Sequence, residues 1–293
     1  MKVLVTGACG QLGRAMRQLS TEGFQLVCTD VAGDDVMYLD ITDAASVDAF
    51  VSEYSIDAIV NCAGYTNVDG AEENQELCRK LNALAPGYLA EAMARRGGLM
   101  VHISTDYVFG GESHCTPIPE TARPAPQSVY GQTKLDGETA VADSGAAYVI
   151  LRTAWLYSPW GRNFVKTMLS LTSTRDSIKV VNDQFGTPTS ALDLSGMIYT
   201  VLGRYDAGQL KQGLFHFTDE GSCSWYEFAR AIAELAGNTR CTIAPCLTSE
   251  YPTKAMRPAY SVLDKTLVKE TFGIDIPLWQ DSLKRCLEAI SKS

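Results

Sequence analysis

The chain has 293 residues, 46% of them hydrophobic, and a formal net charge of −9. That length can bury one large core or two of unequal size, and ordinary glycine and proline levels point to a folded globular protein. The acidic balance argues against nucleic acid or a membrane surface as partner, and no apolar run reaches a secretory h-region of about 7–15 residues or a membrane span of about 20, so the cytoplasm is the expected compartment.

Lys2–Thr6 reads as a short apolar strand, followed at once by Gly7–Ala8–Cys9–Gly10–Gln11–Leu12–Gly13 and a helical pattern through Ala15, Met16 and Leu19. Glycines at 7, 10 and 13 permit a tight strand-to-helix turn. They also let backbone N–H groups and the helix dipole approach a pyrophosphate, with Gln11 and Leu12 in the same loop. A glycine triplet alone is weak; the strand–loop–helix order is what points to a dinucleotide. A second strand, Gln25–Thr29, ends at Asp30, about 20 residues beyond the loop, where an acid bonds the adenosine ribose. No Lys or Arg occurs between Arg17 and Arg79. A 2′-phosphate then has no cation in the adjoining loop, which favours NADH over NADPH while leaving acceptance of both open.

A short strand ends near Asp40, which together with Ile41 is counted among the cofactor-binding positions. A helix over Ala44–Tyr54 and an apolar strand over Ala58–Cys62 follow. The latter runs into Ala63–Gly64–Tyr65, a stretch beginning with small residues where a cofactor would pass. Helical periodicity covers Ala71–Met93, with Asn82 and Pro86 inside it, and a fifth strand over Leu99–Ile103 leads into Ser104–Thr105–Asp106–Tyr107–Val108–Phe109. Strands alternating with helices at this spacing predict a Rossmann-type doubly wound parallel sheet with its site at the carboxyl strand ends.

Four prolines between Pro117 and Pro126 lead to Tyr130–Gly131–Gln132–Thr133–Lys134. Tyr and Lys four residues apart at a helix start share one face. There an ammonium can lower a phenol pKa that is ordinarily about 10, and such a phenol is the acid that carbonyl reduction needs. Beyond another strand, Tyr148–Arg152, come a helix around Val165–Leu171, a strand over Ile178–Val181, a helix over Leu192–Leu202 and a strand over Leu214–Phe217. A capping box, Ser224-x-x-Glu227, opens a further helix, and the chain ends in one through Leu283–Ile290. The expected organisation is a nucleotide-binding domain over 1–152, rejoined by about 190–220, and a smaller interleaved α/β substrate lobe over 153–293. Nine scattered cysteines without a Cys-x-x-Cys read as reduced thiols, and no metal site is expected.

The glycine loop, Ser104–Phe109 and Tyr130-x-x-x-Lys134 together resemble an extended short-chain dehydrogenase/reductase. The strings Asn61–Asp69, Arg152–Tyr157, Asn163–Phe164, Asn182–Gln184 and Arg257–Pro258 are similar to one branch, the dTDP-4-dehydrorhamnose reductase family, from residue 2 to about residue 285. The resemblance implies reduction of the C4 keto group of a dTDP-sugar with NAD(P)H. Tyr130 would donate the proton, Lys134 would tune Tyr130 and hold the nicotinamide ribose, and Thr105 would bond the same oxygen with Ser104 as a nearby substitute. Asp106, Tyr107, Trp155 and Asn163 would shape the sugar-nucleotide pocket, with Lys166 and Arg257 as phosphate partners; Trp155 equally suits core packing, and Lys166 a solvated helix face. Some members of the family dimerise around magnesium held by carboxylates. Gly13–Arg14–Ala15–Met16 and Ala191–Leu192 offer none at the corresponding places, so a monomer or weak homodimer without magnesium is expected. Gly64 stands where the family usually has alanine.

Two other functions compete. A nucleotide-sugar epimerase would cycle a retained NAD; a dehydratase would need an acid and base after the threonine, where this chain has Asp106–Tyr107. A non-catalytic subunit resembling the regulatory beta subunit of methionine adenosyltransferase would have no use for the complete Thr105–Tyr130–Lys134 set.

Overall fold

The structure, a computed structural model, describes residues 1–19 and 22–292. The first half alternates strand and helix: β1 (Lys2–Thr6), α1 (Gln11–Gln18), β2 (Gln25–Asp30), β3 (Met37–Tyr38), α2 (Ala44–Glu53), β4 (Ala58–Asn61), α3 (Val68–Ala71), α4 (Gln75–Arg79), α5 (Ala85–Arg96), β5 (Leu99–Thr105), α6 (Val129–Ala142) and β6 (Ala147–Thr153). The second half is more broken: β7 (Leu156–Tyr157), α7 (Phe164–Thr174), β8 (Ser177–Val181), β9 (Phe185–Gly186), β10 (Thr189–Ser190), α8 (Ala191–Asp206), β11 (Gly213–His216), β12 (Cys223–Ser224), α9 (Trp225–Leu235), β13 (Thr242–Cys246), α10 (Thr266–Phe272) and α11 (Trp279–Ser291).

One parallel sheet of seven strands, ordered β11-β6-β5-β4-β1-β2-β3, dominates the molecule. Its central strands carry apolar residues on both faces, as a parallel sheet covered by helices requires. Successive side chains point to opposite faces. Val3 and Val5 therefore join the core shared with Met16 of α1 and Leu194 and Ile198 of α8, whereas Leu4 between them faces Val47 of α2 and Leu89 of α5. Leu99, Met100 and Val101 repeat the alternation on β5. The strand order reverses between β1 and β4, and ligands of open α/β sheets bind outside the carboxyl ends at such a switch point.

The remaining strands form three two-stranded sheets, β10-β7, β12-β9 and β13-β8. These pack with α7, α9 and α11 around an aromatic core that includes Trp155, Phe164, Trp225, Phe228 and Trp279. The capping box at Ser224 forms as written: the Ser224 hydroxyl accepts from the Glu227 amide at 3.1 Å, and Glu227 accepts from the Ser224 amide at 2.7 Å.

The continuous helical pattern expected over Ala71–Met93 is broken. Separate helices α3 and α4 precede a single π turn over Lys80–Leu84, and only then does α5 begin, with Pro86 in its first turn. Proline lacks an amide hydrogen and clashes with the carbonyl four residues earlier. The backbone stays right-handed helical from α4 into α5, so the widened turn ahead of Pro86 accommodates the proline within one run of helix. α5 closes on Gly97, in the left-handed region at φ +71°. No helix among the described residues is long and apolar enough to cross a membrane.

Candidate active site

The glycine loop joins β1 to α1 through Gly7, whose φ is +62°. A Cβ on Gly7 would lie 2.7 Å from the Ala63 amide nitrogen, and one on Gly13 would lie 2.4 Å from the Gly7 carbonyl oxygen. Only glycine fits at either place. α1 starts at Gly10 with no side-chain cap, so the amide groups of its first turn are available to an anion. Asp30, at the end of β2, accepts from the Cys9 amide at 3.0 Å and the Val31 amide at 2.8 Å, which pins its carboxylate beside the loop. This cradle fits a dinucleotide in shape and charge.

Other positions assigned to the cofactor serve the scaffold as well. Asp40 accepts from both the amide and the hydroxyl of Thr42, and the Ile41 side chain is buried in the core. Ala63 donates its amide to Asn61, which also accepts the Thr6 hydroxyl at 2.7 Å. Tyr65 is held at both backbone groups by Asn82, whose amide side chain reaches out from the π turn. In the sequence Asn82 stood inside a helical pattern; the structure makes it the brace of the segment after β4. Gly64 lies so close that an added Cβ would be 3.0 Å from Asn82 Oδ1.

Gln11 sits at the junction of the two halves. Its Oε1 accepts from Ser158 and from Asn163 Nδ2, both at 2.9 Å. Asn163 in turn caps α7 by accepting the Lys166 amide at 3.0 Å. Lys166 is exposed and donates to the Pro159 carbonyl, so it occupies a solvated helix face.

Tyr130 and Lys134 share one face of α6, which begins at a Ser128 cap. Thr105, the last residue of β5, lies beside the Tyr130 phenol and favours its charged form. Its hydroxyl also contacts Asp106 Oδ1 at 3.0 Å and accepts the Tyr107 amide at 3.2 Å. Ser104 does not share this environment: as the preceding strand residue it faces the other way and donates to Glu138. Lys134 is buried, with Nζ donating to the Ile103 carbonyl oxygen. Loss of water pulls its pKa down to about 8, with the Glu138 charge one turn along opposing the fall.

The expected depression of the Tyr130 phenol by Lys134 is not what the geometry produces. Burial pushes the phenol above its ordinary value, Thr105 opposes that, and the Asp106 and Tyr107 charges add to it. Desolvation outweighs the partner because charge is disfavoured in a dry site unless directly solvated. Asp106 is itself pushed up to about 6 by burial.

The Tyr107 ring stands edge-on to Tyr130, with centroids 5.4 Å apart. The Arg257 guanidinium acts electrostatically on the Tyr107 phenol and donates to Asp69 Oδ2 at 3.0 Å, so the segment carrying Arg257 is tied to α3 beside the site. Trp155 follows β6 with φ +50°, a backbone region that bulky residues avoid. Its ring stacks on Trp225 at 3.5 Å and lies where a Cβ on Gly186 would be 2.6 Å away. It is thus built into the second lobe's aromatic core at the point where the chain leaves the sheet.

Beneath α6, Arg152 of β6 forms a two-point ion pair with Glu138, at 2.8 and 2.6 Å. Neither residue was singled out for the site from the sequence, since residue order alone does not reveal that charges on two successive elements will meet in the core.

A family model described as the RmlD substrate binding domain matches residues 1–292. A dTDP-4-dehydrorhamnose reductase of Burkholderia thailandensis is 39% identical over 98% of this chain and 98% of its own. A crystal structure of a dTDP-4-dehydrorhamnose reductase from Clostridium acetobutylicum superposes with a TM-score of 0.91 at 44% identity, covering 99% of this chain and 100% of that one. The crystal structure of a Bacillus anthracis dTDP-4-dehydrorhamnose reductase in complex with NADP gives 0.90 at 36% identity, covering 98% and 99%.

Proposed function

Because the chain belongs to the RmlD substrate binding domain family, we propose that it is an NAD(P)H-dependent oxidoreductase that reduces the C4 keto group of dTDP-4-dehydro-L-rhamnose to give dTDP-L-rhamnose. The observation that carries the chemistry is the placement of Thr105 beside the Tyr130 phenol at the carboxyl edge of the sheet, with buried Lys134 on the same helix face. A regulatory subunit would need neither. The substrate class rests on relatives that match almost their whole length and carry that reductase name.

The glycine loop and Asp30 would hold a reduced nicotinamide dinucleotide, which would supply hydride to the carbonyl carbon. Negative charge then develops on the carbonyl oxygen, where Thr105 and Tyr130 offer two hydroxyl donors and Tyr130 gives up its proton. A phenol whose pKa is raised is fully protonated at neutral pH, and the alkoxide that forms is a base strong enough to take that proton. The upward shift therefore suits a donor better than a depressed phenol would. Lys134 places a cation behind the phenol and meets the negative charge that proton transfer leaves there. Asp106, Tyr107, Trp155, Asn163 and Arg257 would line the sugar-nucleotide side, in the second lobe and the segments leading to it. The segment after Thr105 carries Asp106–Tyr107 rather than a second acid, which fits a single reduction and not an elimination.

The test follows NADH absorbance when the protein meets dTDP-4-dehydro-L-rhamnose generated in place by the upstream epimerase. Turnover is expected, and Tyr130→Phe should lower it by about 10²–10⁴-fold with NADH affinity changed less than about twofold. No oxidation by the wild-type protein overturns the assignment.

A further inference from the structure

The loop between β2 and β3 folds back over the glycine loop. A Cβ on Gly33 would lie 2.6 Å from Cys9 Sγ, so backbone rests directly on that side chain. Across this contact Arg17, in the last turn of α1, forms an ion pair with Asp35. Arg14, one turn earlier, donates through Nε to the Cys9 carbonyl at 2.9 Å. Asp30, Asp35, Arg14 and Arg17 all act electrostatically on the Cys9 thiol, so two acids and two guanidinium groups surround one point at the end of β2. The loop after β2 contains no cation of its own, yet the structure delivers one to it from α1.

Asp30 is already anchored by two amides. It is therefore fixed as the ribose partner and cannot swing aside for a phosphate. Arg17 is different. Among the described residues its ion-pair partner is Asp35, whose side chain is 63% exposed, while that of Arg17 is 28% exposed. An ion pair this open is weak and can be exchanged for a stronger, bidentate phosphate partner.

We propose that Arg17 is the 2′-phosphate site of the cofactor pocket and that Asp35 is the counter-ion this phosphate must displace, so that the pair sets the balance between NADH and NADPH. This rests on the cofactor reading above. NADH leaves the pair intact. NADPH trades the Asp35 carboxylate for its own phosphate, gaining the contact minus the strength of the pair it replaces. The two cofactors are then accepted with a modest difference that depends on this exchange.

The experiment is equilibrium binding of NADH and NADPH, followed by tryptophan fluorescence or calorimetry, to the wild-type protein and to Arg17→Gln and Asp35→Asn. 2′,5′-ADP and 5′-ADP serve as probes of the adenosine end alone. Arg17→Gln should weaken NADPH relative to NADH by about tenfold, the usual worth of one charge-assisted contact. Asp35→Asn should tighten NADPH relative to NADH by about threefold, the strength of an exposed ion pair. The 2′,5′-ADP to 5′-ADP ratio should move in the same directions. If both variants leave these ratios within twofold of wild type, the assignment of Arg17 and Asp35 is wrong while the cofactor site stands. If the wild-type protein binds neither cofactor, the site reading itself fails.

Discussion

Arg152 and Glu138 meet in a bidentate ion pair with 3% and 5% of their side chains exposed, directly behind the helix face that carries Lys134. The pair is part of a longer chain of contacts. Ser104 donates to Glu138, the Arg152 guanidinium lies 5.0 Å from the Phe109 ring centroid, and His216 stands 3.5 Å from Arg152 Nη1. Burying two charges is costly, and taking away one partner strands the other. Glu138→Gln should therefore cost about 3–5 kcal/mol in denaturant unfolding. The double variant with Arg152→Met should recover much of that loss, giving a coupling energy above about 1 kcal/mol. Additive losses would mean that the pair is not the source.

Thr105 and Ser104 offer a sharper contrast, because adjacent strand residues have been given opposite tasks. Thr105→Val keeps the shape and removes the hydroxyl beside the phenol, so kcat should fall by about 10²–10³-fold, the worth of one such donor, with little change in NADH affinity. Ser104→Ala removes a hydrogen bond to Glu138 instead and should act on stability, by about 1 kcal/mol, with kcat within about threefold of wild type. Equal kinetic losses in the two variants would show that Thr105 has no special place beside Tyr130.

Lys134 titrates near 8 in the folded protein against an ordinary value of 10.5. Between those values the unfolded chain holds one more proton on this side chain than the folded one. Its contribution to stability is therefore unfavourable below about pH 8 and is relieved as pH rises towards 10.5. Comparing unfolding free energies of wild type and Lys134→Met isolates the effect: the variant's relative advantage should be largest at pH 7 and shrink by pH 10. The ammonium is also the form that supports proton transfer from Tyr130, so wild-type kcat should decline above about pH 8. A flat kcat through pH 9.5 would remove Lys134 from that role.

Two glycines of the phosphate loop should differ in tolerance. A Cβ at Gly13 would meet the Gly7 carbonyl at 2.4 Å and the Ala8 Cα at 2.5 Å, both of them backbone, whereas at Gly10 the nearest atom is 3.1 Å away. Gly13→Ala should abolish measurable NADH binding and lower the melting temperature, because a main-chain clash can be relieved only by moving the loop. Gly10→Ala should retain binding, weakened less than about tenfold. Reversal of this order would show that the loop is not held in the arrangement described.

Much of this was readable from residue order. β1 occupies Lys2–Thr6 as expected, the glycine loop opens α1, and the alternation through β6 yields a doubly wound sheet whose carboxyl edge carries Thr105 and Tyr130. Those features depend on local pattern: apolar runs, turn residues and the fixed spacing of a helix face. What escaped depends on meetings across the chain. The π turn around Asn82 escaped because the backbone stays helical on both sides of it, and no residue type marks a widened turn. The Glu138–Arg152 pair and the reach of Arg17 to Asp35 join elements whose proximity only the fold decides. Likewise the phenol of Tyr130 could be paired with Lys134 from spacing alone, but how dry its surroundings are could not be known without the packing of Tyr107 and Asp106.

β11 pairs with β6 along Gly213–His216, and Tyr199 of α8 donates its hydroxyl to the Met16 carbonyl in α1 at 2.7 Å. Both contacts bring late residues back onto the nucleotide half. A ribosome that has released only the first 153 residues has therefore made a sheet with an open edge at β6 and one apolar face lacking α8. Such an edge invites pairing with another chain, and long-range closure of this kind slows folding. The glycine loop's helix and β6, encoded early, are thus braced by elements that the chain encodes much later.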